Sequence, residues 1–126
     1  MVNRCIQRHW KVSLNGVETM DILAEKLRSL LQQKPRNRYR SQDVYDIAEY
    51  VRKSAIDRRK IATYLQQKSR IRGIEARKSS FDDEIRDMAA KEYEQRIREE
   101  APRDFIPFDE AWQDVLSLVQ SLDIPD

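Results

Sequence analysis

Ile22-Leu23-Ala24-Glu25-Lys26-Leu27 reads as the middle of an amphipathic helix, and Arg40-Ser41-Gln42-Asp43-Val44-Tyr45-Asp46 as the opening of the next. In the first, Leu23, Ala24, Leu27, Leu30 and Leu31 recur at helical spacing and form an apolar stripe over a helix expected from about Met20 to Gln33. Lys26 stands at the edge of that stripe, where its stem can pack while the ammonium reaches out. In the second, Val44, Ile47, Ala48 and Val51 form the stripe of a helix running to about Lys53. Asp43 falls in its first turn and Asp46 one turn later on the same side. Between the two lies Lys34-Pro35-Arg36-Asn37-Arg38-Tyr39-Arg40, with four cations in seven residues. Lysine supplies a point charge, arginine a forked donor, and a nearby aspartate can orient either, so the layout suits a phosphate-rich ligand. A first-turn aspartate is also what an ordinary helix dipole favours, so Asp43 has a structural explanation as well.

The order of these residues resembles the C-terminal helical part of the AbiEii/AbiGii nucleotidyltransferase toxin family. Leu23-Ala24-Glu25-Lys26-Leu27 matches the early "AEK" element of that family, and Arg40, Asp43, Tyr45 and Asp46 match its later basic-acidic element. The likeness runs from about Val12 to Ile56. It implies transfer of nucleotides from a triphosphate, with tRNA as acceptor in the better understood members, and a toxic role in phage defence. It also implies that Lys26 contacts the triphosphate while Arg40 and Asp43 shape the same pocket.

The chain departs from the family where the metal should be held. Members begin with a core in which a Gly-Ser turn precedes paired aspartates. Here Gly16 precedes Val17, Gly73 precedes Ile74, and no Asp-x-Asp occurs. Gln42 stands before Asp43, where the family prefers a cation. Two-metal phosphoryl chemistry needs such carboxylates to neutralise the triphosphate. The expectation is a helical half without the metal half, with no catalytic residue and no metal ligand of its own. Magnesium and a nucleoside triphosphate would then join only when a partner chain completes the site.

With 126 residues the chain can bury one modest core, and a single helical domain is expected over 1–126, with 1–18 as a strand or arm and 19–126 as the helical module. A charged fraction of 37% with only two glycines and four prolines favours helices over a β-sandwich. No apolar run reaches the roughly 18 residues of a membrane span, and the N-terminal region lacks a secretory apolar stretch. Cys5 is the single cysteine and His9 the single histidine, so an intramolecular disulfide is impossible and a zinc site lacks ligands; a reducing cytoplasm fits.

The net charge of +2 hides a segregation: residues 1–80 carry 19 Lys/Arg against 8 Asp/Glu, and residues 81–126 carry 5 against 14. The basic part can approach nucleic acid, or the two parts can attract each other within the fold.

Along the chain, Trp10-Lys11-Val12-Ser13-Leu14 alternates apolar and polar before Asn15-Gly16, the pattern of a short strand or hairpin arm. Thr19 is a candidate N-cap for the first helix and Ser41 for the second. Pro35 should end the first helix by disfavouring helical geometry at Lys34. A third helix follows Asp57 and stops near Gly73, a suitable left-handed C-cap. Its cations Arg58, Arg59 and Lys60, with Arg36 and Arg38 of the preceding loop, are the candidate nucleic-acid contacts. Tyr64 among these cations can stack on a base or bury its ring. A fourth helix, capped by Ser79 or Ser80, is expected to run unbroken to Glu100 through Ile85, Met88, Ala89, Tyr93 and Ile97. A last helix opens near Pro107 or Phe108 and ends at Leu122, with Phe108 and Trp112 anchoring the core.

The sequence therefore predicts a mostly α protein of about five helices in a small bundle, with a short N-terminal strand or hairpin. Three functions are compatible with it. The first is the helical module of an AbiEii-like toxin, working with a separately encoded nucleotidyltransferase core or a cognate toxin or antitoxin, and with tRNA. The second is a non-catalytic partner-binding or inhibitor protein. The third is a helical RNA-binding domain, which rests on charge alone.

Overall fold

A computed structural model describes residues 16–126, with side chains from Glu18 onward. The expected strand and hairpin arm at 1–18 falls almost entirely outside the described residues. Its last positions, from Gly16, already belong to a helix.

Seven α-helices are present among the described residues: α1 (Gly16–Leu31), α2 (Gln33–Arg36), α3 (Ser41–Lys53), α4 (Arg58–Ile71), α5 (Asp83–Ala90), α6 (Tyr93–Glu100) and α7 (Phe108–Ser121). The helical character is as the sequence predicts. The difference in number has two local causes.

The first is at Pro35. The chain breaks at Gln32 and then makes a separate single turn, α2, that contains the proline. Pro35 is the third residue of that turn, where a backbone N–H has no intrahelical acceptor, so its missing donor costs nothing. Lys34 is therefore helical, contrary to the expectation, and Asn37 ends the turn in the left-handed region at φ 53°.

The second is at Glu92, whose φ of 59° divides the expected fourth helix into α5 and α6. Beyond the bend α6 packs on α3, while α5 packs on α2, α3 and α1. Tyr93, just past the bend, places its hydroxyl 2.6 Å from the Ile106 carbonyl and its ring edge-on to Phe108.

Three helix starts also differ from expectation. Thr19 lies inside α1, because that helix begins at Gly16, and Ser41 is the first residue of α3, not its cap. Asp82, whose side chain accepts from Ile85 N at 3.0 Å, caps α5 in place of Ser79 or Ser80, which belong to a 3₁₀ turn over Lys78–Ser80. Asp57 caps α4 through Lys60 N, and Gly73 at φ 72° follows its end as expected.

α1 packs along α4 and across α3, whose other side packs on α7. The two long partners α1 and α4 start together, where Asp57 N donates to Met20 Sδ at 3.2 Å. Further along α4, Lys68 reaches Asp21 at 3.0 Å and Glu25 at 3.7 Å. The buried core joins Leu23, Leu27, Ile47, Leu65, Trp112 and Val115. Trp112 is buried and stacks on the half-buried Phe108 with ring centroids 6.2 Å apart. Each such side chain contributes on the order of 2–3 kcal/mol.

The segregated charges meet within the fold. Lys34 pairs with Glu84 at 3.0 Å, and Arg52 pairs with Asp114 at 2.6 Å and Glu110 at 3.5 Å. Basic and acidic halves of the chain are thus held to each other by ion pairs, and the sequence dipole is partly cancelled in space.

Candidate functional site

The α1–α3 crossing brings the two quoted sequence elements into one cluster. Lys26 Nζ lies 2.9 Å from Asp46 Oδ2 and 3.4 Å from Asp43 Oδ1. Arg40, just ahead of α3, approaches Asp43 Oδ2 at 4.0 Å. These side chains, with Tyr39, Gln42 and Arg96, line a cavity of 260 Å³. Lys26, Arg40 and Asp43 are therefore neighbours, as the sequence predicts. Asp46, Gln42, Tyr39 and Arg96 join them.

Three cations and two carboxylates line this cavity, and Arg96 also pairs with Glu92 at 3.4 Å. Burial alone would lower the Lys26 ammonium, but the carboxylates of Asp46 and Asp43 hold it above its ordinary value, so it stays charged. Burial raises the Asp43 carboxyl, against the attraction of Lys26. An ammonium has three N–H donors, and the two aspartates account for two of them.

Gln42 Nε2 donates to Asp46 Oδ1 at 3.0 Å. A carboxylate only accepts, so this contact fixes which end of the amide faces Asp46. The amide oxygen on the other side is buried with no hydrogen-bond partner among the described residues. Such an acceptor costs about 1–3 kcal/mol when left unmade.

Gln33 sets the position of the basic loop. Its side chain is fully buried, its Nε2 donates to Leu30 O at 3.2 Å and Ile85 O at 3.0 Å, and its Oε1 accepts from Arg40 N at 2.8 Å. Its own carbonyl accepts from Arg38 N at 2.9 Å. In the sequence Gln33 reads as an ordinary polar residue at a helix end. Nothing there signals that it clamps α1, α5 and the loop together. Arg96 was equally hidden, because it comes from the acidic half of the chain.

The candidate nucleic-acid contacts do not form one patch. Arg36 feels the charges of Arg38 and of Arg72, which follows the end of α4, whereas Arg58, Arg59 and Lys60 make the first turn of the same helix. A 14-residue helix spans about 21 Å at its usual rise, so the two groups lie at opposite ends of it. Arg58 and Arg59 line a second, larger trough of 540 Å³ with Gln66, Gln67 and Arg70 of α4 and Ser121 and Asp123 beyond it. Tyr64 is half-buried against the core.

Residues 5–117 match the family described as "Nucleotidyl transferase AbiEii toxin, Type IV TA system". The chain belongs to the AbiEii family. The match covers most of the chain and reaches well beyond the 12–56 stretch that the two motifs mark, so α4 to α7 belong to the AbiEii likeness too. No curated protein and no solved structure shows a significant match to it.

Magnesium is implied by the chemistry of such toxins, but the carboxylates here do not fit it. Asp43 and Asp46 both already face Lys26, and no group of three or more metal-type side chains occurs among the described residues. No helix of the described residues is long and apolar enough to cross a membrane.

Proposed function

We propose that this AbiEii-family chain is the helical, triphosphate-binding part of a nucleotidyltransferase toxin of a toxin–antitoxin system. Lys26 and Arg40 hold phosphate oxygens, and Asp43 orients the two cations from the side. The observation that carries this reading is the cavity in which Lys26, Arg40 and Arg96 converge around Asp43 and Asp46. Cations gathered beside carboxylates, with the Lys26 and Asp43 pKa values both shifted, have the character of a site for an anionic ligand.

The metal-holding carboxylates come from outside these 126 residues, which contain neither a Gly-Ser turn nor an Asp-x-Asp pair. The source is a separately encoded core, a cognate partner or another part of the same toxin. The acceptor RNA, of which tRNA is the expected kind, lies along the cations of α4, with Arg58, Arg59 and Lys60 at one end and Arg36 and Arg38 at the other. The cell compartment is the cytoplasm and the setting is phage defence.

The test is a calorimetric titration of the chain with magnesium–nucleoside triphosphate, repeated for Arg40→Ala. Arg40 is one-third exposed, so its removal leaves the fold intact. Saturable binding that weakens about tenfold or more in the variant is expected, since charge-assisted contacts to phosphate are the strong ones. Binding unchanged by Arg40→Ala, or absent at millimolar ligand, removes the phosphate site. The interaction-protein reading would then lead.

A further inference from the structure

The basic loop carries an aromatic ring that folding leaves half uncovered. Tyr39 is 48% exposed; among the described residues only Ile71 joins it as a large exposed apolar side chain. The ring stands at the wall of the 260 Å³ cavity, in the company of Lys26, Arg40 and Arg96.

Its exposure is not that of a loose loop. The residue before it is held by Arg38 N donating to Gln33 O at 2.9 Å, and the residue after it by Arg40 N donating to Gln33 Oε1 at 2.8 Å. One buried glutamine therefore pins the backbone on both sides of Tyr39. Asn37, in its left-handed turn, closes onto Lys34 O at 3.1 Å. A ring carried on a backbone held in this way, and left in water, forgoes burial in the free protein, while the chain beneath it needs little ordering when a ligand arrives.

We propose that Tyr39 is the base-recognition residue of this site, its ring forming the platform on which the nucleobase of a bound nucleoside triphosphate stacks. The inference rests on the triphosphate reading above and adds what the cations cannot supply. Lys26, Arg40 and Arg96 attract any polyphosphate, whereas an aromatic face beside them favours one that carries a planar base. Stacking is tolerant of base identity, because every base has a π-face. Tyr39 therefore selects nucleotides over inorganic polyphosphate, not one nucleotide over another.

The experiment compares two ligands, adenosine triphosphate and inorganic tripolyphosphate, each with magnesium, on wild type, Tyr39→Ala and Tyr39→Phe. Wild type is expected to bind the nucleotide about tenfold or more tightly than tripolyphosphate. Tyr39→Ala should bring the nucleotide down to the level of tripolyphosphate while leaving tripolyphosphate affinity unchanged. Tyr39→Phe should keep the preference, since the ring and not the hydroxyl carries it. A nucleotide preference that survives Tyr39→Ala, or wild type that binds both ligands equally, overturns the stacking role and leaves the phosphate site standing. Failure of wild type to bind either ligand overturns both readings together.

Discussion

Lys26 and Asp46 meet at 2.9 Å across the α1–α3 interface, and Gln42 holds the other oxygen of the same carboxylate at 3.0 Å. Asp43 stands on the second side of the ammonium. The lysine is thus a structural counter-ion for two poorly hydrated carboxylates as well as the candidate phosphate ligand. A surface lysine would be worth little to stability, but this one is not at the surface.

Lys26→Ala should therefore destabilise the chain by about 1–3 kcal/mol, because it leaves Asp43 and Asp46 partly buried and facing each other. Urea denaturation measures the loss. In an Asp43→Asn, Asp46→Asn background the same substitution should cost much less, since no stranded charge remains. A cost below about 0.5 kcal/mol in the wild-type background would mean that the lysine merely decorates the surface.

Stability should also depend on pH through Asp43. Burial raises its carboxyl above the ordinary 3.8, so the folded state binds this proton more tightly than the unfolded chain does. The contribution of this group is full below the ordinary carboxyl pKa and is lost as pH rises through the raised folded value. Wild type should accordingly lose stability relative to Asp43→Asn over that acidic window and hold a constant difference above it. Lys26 behaves oppositely in range: its contribution persists through neutral pH and fades only above 10.5. Paired unfolding curves of wild type and Asp43→Asn at several acidic pH values check the sign.

Much of this site was legible in the sequence because helical spacing is local. The stripe of Leu23, Leu27 and Leu30 fixes which way Lys26 points, and the three-residue step from Asp43 to Asp46 puts both on one side of α3. What was not legible depends on contacts far apart in the chain. Gln33 is buried because Ile85, 52 positions later, offers it a carbonyl, and no local pattern announces that. The break at Glu92 was hidden for a related reason. Ile85, Ala89, Tyr93 and Ile97 keep helical spacing through it, and the packing of α5 on α2 and α1 as well as on α3 is a tertiary demand. Pro35 misled because its effect depends on position within the turn, which a dipeptide rule does not see.

Gln33→Ala should cost about 2–3 kcal/mol, since it removes three hydrogen bonds and leaves the Arg40 amide without its acceptor. Its effect should reach the ligand as well, because it frees both Arg40 and Tyr39. Amide hydrogen exchange at Arg40 is the direct readout: it should be much faster in the variant, while Arg38, whose acceptor is the backbone carbonyl of residue 33, and the α7 core stay protected.

If RNA lies along α4, its affinity should fall steeply with salt, each lost phosphate contact lowering the log–log slope by about 0.7–0.9. Because the basic residues fall at two ends of the helix, neutralising Arg58, Arg59 and Lys60 should remove only part of the slope. Neutralising Arg36 and Arg38 should remove another part, and the two effects should add. Fluorescence anisotropy with a labelled tRNA over a salt series measures them. Binding indifferent to salt would exclude this mode.

The measurement closest to the central claim is a nitrogen-labelled magnetic resonance titration of the chain with magnesium–nucleoside triphosphate. It reads the side-chain signals of Lys26, Arg40 and Arg96 and the backbone amides of residues 39–43. The account predicts saturable shifts concentrated on these groups, with the Arg58–Arg70 trough unmoved. Shifts confined to that trough, or none anywhere at millimolar ligand, would contradict it.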